Sequence, residues 1–164
     1  MAGIEKIHMK PLTSQELYIQ RAVEISKMSV AKGGFPVGAM IVCNDEIIAE
    51  GISNGKNEID ATSHAEIDAI RKASKILGRR NLNDATLYSS LEPCLMCLVA
   101  AYWAKIPIVV YACSKKRVSK QHYESDIDIE YVNQHFHKPR KLLYADSFEQ
   151  CALDVISSWE KSLE

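Results

Sequence analysis

Residues 85–112 run ATLYSSLEPCLMCLVAAYWAKIPIVVYA. The run 85–89 is short and rich in residues that favour strands, and 94–105 is a longer, nearly unbroken apolar segment of helical length. Residues 108–112 return to a β-branched strand pattern. A strand, a helix and a strand in this order predict one layer of sheet covered by helix. Working outward, the same alternation holds. Toward the N-terminus, Leu17, Ile19, Ala22, Val23, Ile25 and Met28 recur at helical spacing from Ser14 until Gly33–Gly34. After Pro36, two apolar runs flank Asn44–Asp45, which reads as a β-hairpin over 37–43 and 46–50. A polar stretch from Gly51 to Ser63 leads into a helix that starts at His64 and runs to Gly78. Beyond Lys115 the pattern weakens, with a short helix around 128–136, a strand at 142–145 and a C-terminal helix from about Ser147. The expected fold is α/β, a central five-stranded mixed sheet between helices in three layers.

The chain has 164 residues, of which 47% are hydrophobic, enough for one domain with its own core. Residues 1–13 are expected to form a flexible arm and 14–164 the domain. Lys and Arg number 20 against 21 for Asp and Glu, so no basic field covers the chain and a nucleic-acid partner is disfavoured. The longest apolar runs fall short of a bilayer span, and the N-terminus lacks the layout of a signal peptide. A cytoplasmic location is the expectation. Five cysteines, an odd number with one close pair, point to reduced thiols. Cys43, Cys113 and Cys151 read as small core residues.

Two strings carry chemistry: His64–Ala65–Glu66, and Pro93–Cys94–Leu95–Met96–Cys97. Cysteines at i and i+3 on the first turn of a helix present both sulfurs to one side. The helix N-terminus there favours thiolate over thiol. With His64 they make a Cys₂His set, and three protein ligands leave one position of a tetrahedral zinc open, as catalytic sites require. Glu66 is placed to move protons to and from water activated there. Each residue has a plainer alternative. Ser63-x-x-Glu66 before an apolar helix is also a capping box, the two cysteines could be buried thiols, and a single histidine often just starts a helix. The two strings together, each at the start of a predicted helix, favour the metal reading.

H-x-E followed by P-C-x-x-C is the signature of zinc nucleobase deaminases. With Pro36–Val37–Gly38–Ala39, Ala69–Ile70–Arg71–Lys72–Ala73, Leu87–Tyr88, Glu92 and Tyr102–Trp103–Ala104, the chain resembles the cytidine-deaminase-like superfamily from about residue 16 to 111, most closely bacterial guanine deaminases. The resemblance implies one zinc held by His64, Cys94 and Cys97, Glu66 as proton shuttle, and hydrolytic replacement of a ring amino group by oxygen with release of ammonia. It implies backbone groups near Ala65 and Glu92 lining the reacting centre. It also implies a homodimer, which in relatives can exchange C-terminal segments. The family's base-binding asparagine falls, at strict spacing, on Ser53, with Asn54 next to it, and both are candidate substrate contacts. Phe35 is a candidate stacking residue with hairpin packing as its alternative. Glu124 and Asp126 could bond a base or be solvated carboxylates, and Trp159 could close over a site or belong to the core.

Guanine to xanthine is the leading reaction, on a small-molecule base or nucleoside. The runner-up is a tRNA adenosine deaminase, served by Lys115, Lys116, Arg117, Lys120, Lys138, Arg140 and Lys141, which otherwise read as a solvated face. A third reading is a non-catalytic module that uses zinc only to hold itself together.

Overall fold

The structure is a computed structural model that describes residues 11–122 and 125–164. Helix α1, Ser14–Ala31, is closed by Thr13, which lies within the stretch expected to be an arm. The Thr13 hydroxyl accepts from the Glu16 backbone N–H and the Glu16 carboxylate accepts from Thr13, a complete capping box. Strands β1, Gly38–Cys43, and β2, Glu46–Ile52, pair as the expected hairpin. Asn44 and Asp45 both take positive φ, 51° and 61°, the mirror-image turn that matches strand twist.

The polar stretch after β2 is not all loop. It holds a four-residue helix, α2, Gly55–Glu58, too short to leave a periodic signature. Helix α3, Ala65–Leu77, ends at Gly78 in the left-handed region. Strand β3, Ala85–Ser89, helix α4, Leu95–Trp103, and strand β4, Ile108–Tyr111, realise the opening stretch. Helix α5, Ile129–Gln134, strand β5, Lys141–Tyr144, and helix α6, Glu149–Lys161, complete the chain.

The five strands lie in the order β2-β1-β3-β4-β5. β1 runs antiparallel to β2 and β3, while β3, β4 and β5 are parallel, so the sheet is mixed. Every residue of β1 is buried, as befits a central strand covered on both faces. Glycines show where the layers press closest. A Cβ on Gly38 would strike the α1 backbone at Ala22 and Ser26, and one on Gly51 would lie 2.0 Å from the Ala65 oxygen of α3. Gly38 and Gly51 occupy adjacent, opposite-facing positions of the hairpin ladder, so α1 and α3 cover opposite faces. With α6 beside α1 and α4 beside α3, three layers result.

The carboxyl ends of β2, β3, β4 and β5 meet the amino end of β1 at one edge of this sheet. The residues of both strings follow from that edge, as ligands generally do in open α/β sheets. No helix among the described residues is long and apolar enough to cross a membrane.

Candidate metal centre

His64 is the N-cap of α3 and Cys94 the N-cap of α4, both with extended backbone and neither capping its helix through its side chain. At the position where Ser, Thr or Asp normally turns back to its own helix, these side chains point away and meet each other. Cys97, one turn into α4, is fully buried and completes the group. Cys94 Sγ to Cys97 Sγ, Cys94 Sγ to His64 Nδ1 and Cys97 Sγ to His64 Nδ1 all measure 3.6 Å. Zn–S bonds of about 2.3 Å and Zn–N bonds of about 2.1 Å in a tetrahedron demand ligand–ligand edges of roughly 3.6–3.8 Å. The triangle therefore fits zinc through Nδ1 and two sulfurs. No other group of three or more His, Cys, Asp or Glu among the described residues is close enough together to hold an ion.

The two thiols differ. The sulfur–sulfur contact with Cys97, then His64, lowers the Cys94 thiol to about 4, while the same contact and burial push the Cys97 thiol up. Glu66 is only 3% exposed. Burial, then the negative charge of Cys94, pushes its carboxyl up from the ordinary carboxylate value. A carboxyl in this position can hold a proton as well as accept one.

The capping-box alternative for Glu66 is overturned. The cap is His64, one residue later than Ser63, and the Ser63 hydroxyl instead donates to Glu58 at 2.6 Å. Glu66 turns inward, with Oε1 accepting from Ser89 at 3.2 Å and Oε2 3.4 Å from Cys97 Sγ. The pairing with Ser89 was missed in the sequence. Its signal is a hydroxyl that ends the otherwise apolar face of Ala85 and Leu87 on β3.

The flanking candidates divide. Ala65, fully buried, opens α3. Glu92 is buried and its Oε2 accepts from the Ser114 hydroxyl at 2.9 Å and the Lys115 N–H at 3.1 Å, tying the ligand loop to the segment after β4. Ser53 is buried, its N–H donating to Ser29 Oγ at 3.1 Å. Gly34 allows this approach, since a Cβ there would lie 1.8 Å from the Ser53 oxygen. Asn54 is engaged elsewhere: Nδ2 donates to Glu58 at 3.0 Å and Oδ1 accepts from Asn57 at 2.8 Å.

Phe35 packs against Trp159 with ring centroids 4.7 Å apart, which joins the loop before β1 to α6. Asp126 pairs with Lys120 at 3.0 Å on the surface, both side chains about four-fifths exposed. It borders a cavity of about 430 Å³ that also includes Glu92, Tyr111 and Ser114. Glu124 lies outside the described residues. Among the cations expected on a solvated face, Lys115 is only partly exposed and Arg140 departs most. It is buried, donates to the Ile106 carbonyl and lies 5.1 Å from the centre of the Tyr102 ring.

The model of the cytidine and deoxycytidylate deaminase zinc-binding region matches residues 12–113. The chain belongs to this family of zinc-binding deaminases. It is 42% identical over 127 residues to guanine deaminase of Bacillus subtilis, covering 77% of this chain and 79% of the relative. It is 40% identical over 100 residues to the tRNA-specific adenosine deaminase of Bacillus subtilis, covering 61% and 62% respectively. The solved structure of guanine deaminase from Bacillus subtilis superposes with a TM-score of 0.63 at 37% identity, covering 89% of this chain and 93% of that one. The likeness is wider than the span read from sequence. A match of 127 residues cannot fit within the first 113, so it runs past the zinc-binding region into the tail.

Proposed function

We propose that the protein converts guanine and water to xanthine and ammonia, with one zinc ion per chain held by His64, Cys94 and Cys97. The observation that carries this reading is the length of the likeness to guanine deaminase. It covers 127 residues and so continues into the segment beyond residue 113, a longer match than the 100 residues at 40% identity shared with the tRNA-specific adenosine deaminase of Bacillus subtilis. Residues beyond the zinc-binding region supply most of the lining of the cavity beside Glu92, and loop contacts of that kind set selectivity between bases.

Zinc supplies a Lewis acid that makes water nucleophilic near neutral pH. The chain's own residues do the rest. Glu66, buried and able to exist in both protonation states, takes a proton from water and delivers it to the ring nitrogen beside the amino-bearing carbon. It then takes the remaining proton from the newly added hydroxyl, which becomes the carbonyl oxygen, and passes it to the departing amine, which leaves as ammonia. A C–O bond forms, the C–N bond breaks, and the carboxyl returns to its starting state. Ser53 and the backbone at Ala65 line the base. Asn54 reaches it only by exchanging its bonds to Asn57 and Glu58.

The protein acts as a homodimer in the cytoplasm. Helix α4, LMCLVAAYW, has no charged residue on any face, yet Leu95 is 37% and Trp103 70% exposed. A helix apolar all round is normally covered, and a second copy would cover it. The five cysteines, all unpaired, suit a reducing compartment. A monomer in sedimentation at micromolar concentration would remove the dimer from this account.

The test of substrate is ammonia release by zinc-loaded protein from guanine, guanosine, adenine, cytosine, cytidine and a tRNA anticodon stem-loop. Turnover of guanine is the expected result. Activity on the stem-loop alone would replace this reading with RNA editing, and silence on every substrate would favour the zinc-stabilised module.

A further inference from the structure

Across the face of the sheet turned toward α3, Ala39, Ser89 and Tyr111 stand in register. Ser89 is the last residue of β3 and has no solvent exposure. Ala39 beside it and Leu87 two positions back on the same face are equally buried and apolar. A hydroxyl in such a place is unfavourable unless it is bonded. Its acceptor is Glu66 Oε1 at 3.2 Å. The long 3.5 Å approach of the Leu91 N–H is a secondary contact.

The two oxygens of Glu66 thus have different surroundings. Oε1 faces Ser89, and Oε2 faces the metal-ligand group, 3.4 Å from Cys97 Sγ. The terminal torsion of a glutamate is broad and roughly two-fold, so the helix alone does not fix the plane of the carboxylate. Its partners do: Cys97 Sγ approaches Oε2, the residue's own backbone N–H also bonds the carboxylate, and the Ser89 hydroxyl is the donor on Oε1. We propose that Ser89 is a positioning residue for Glu66, its hydroxyl holding Oε1 so that Oε2 stays directed at the centre where protons are exchanged. This rests on the reading of Glu66 as the proton carrier. The arrangement joins two segments through the sheet: α3 supplies the carboxylate and β3 supplies its orientation. Ser89 also leads directly into the loop that carries Cys94, so the strand end that orients the carboxylate also sets the path of a ligand.

The test compares Ser89→Ala, Ser89→Thr and Glu66→Gln with the unchanged protein, measuring kcat and KM on guanine, zinc content, and the crystal structure of Ser89→Ala. Loss of a partner that orients a working group lowers its effect by about 10- to 100-fold. Ser89→Ala is expected to lose kcat by that factor with KM and zinc content unchanged. Ser89→Thr, which keeps the hydroxyl, should recover most of it. In the Ser89→Ala crystal the Glu66 carboxylate should be rotated or spread over two orientations. Full kcat in Ser89→Ala, or equal losses in the Ala and Thr variants, would overturn the proposal. An unmoved carboxylate in the crystal would do the same even if guanine is not the substrate. Glu66→Gln as fast as the unchanged protein would instead sink the proton-carrier reading itself.

Discussion

Cys97 and Cys113 are both fully buried thiols, but only Cys97 lies in the 3.6 Å triangle with His64 and Cys94. Replacing each by serine separates packing from metal binding. Cys97→Ser puts a poorer ligand in the triangle and should leave zinc well below one per chain by metal analysis, with a lower Tm because metal affinity is folding energy. Cys113→Ser should lower Tm while keeping zinc. Equal zinc in both variants would refute the ligand set. His64, Glu66, Cys94 and Cys97 were legible in the sequence because their relation is local: two spacings, each at a helix start. Ser89 was not, since its partner lies 23 positions away and meets it only through the packing of α3 on the sheet. The engagement of Asn54 was also hidden, because its partners belong to α2, a single helical turn that no period reveals.

The segment between β2 and α3 is where element-level order is least ideal. Ile59, which ends α2, has φ of 53° and is 95% exposed. A β-branched residue in the left-handed region is strained by about 1–2 kcal/mol, while glycine there costs about 0.5–1 kcal/mol of chain entropy. Ile59→Gly is therefore expected to stabilise the protein by about 0.5–1 kcal/mol, read as a higher urea midpoint at constant slope. Destabilisation would mean that the Ile59 side chain is covered in solution. The long elements were readable because each has a clear stop: α1 ends just before Gly33–Gly34, α3 at Gly78, and the hairpin turns at Asn44–Asp45. The weak patterns beyond Lys115 still placed α5, β5 and α6 within a few residues. The strand order was beyond reach, since nothing local makes β1 a neighbour of β3, 42 or more residues on.

The assembled core sets how the protein responds to pH as a whole. Burial holds the Tyr88 phenol up at about 12, with Tyr18 and Asp45 adding to the shift, and burial holds Tyr111 at about 12 as well. In the unfolded chain both ionise near the ordinary value of 10. Between pH 10 and 12 the native state thus keeps protons that the unfolded state has lost. Stability must fall as pH rises through that window and is intact below it. Tyr88→Phe should make thermal unfolding less sensitive over this range, and an unchanged pH slope would show that the phenol is not buried in solution. The proposed reaction depends on the same assembly, because the sheet edge brings together Glu66 of α3 with Cys94 and Cys97 of the α4 start. The most direct measurement is ammonia release from guanine by Glu66→Gln beside the unchanged protein, with zinc quantified in both. Turnover reduced by about 10²–10⁴ with zinc content equal is the expected result. Equal turnover with equal zinc would contradict the account, since protons would then be moved by a group other than Glu66.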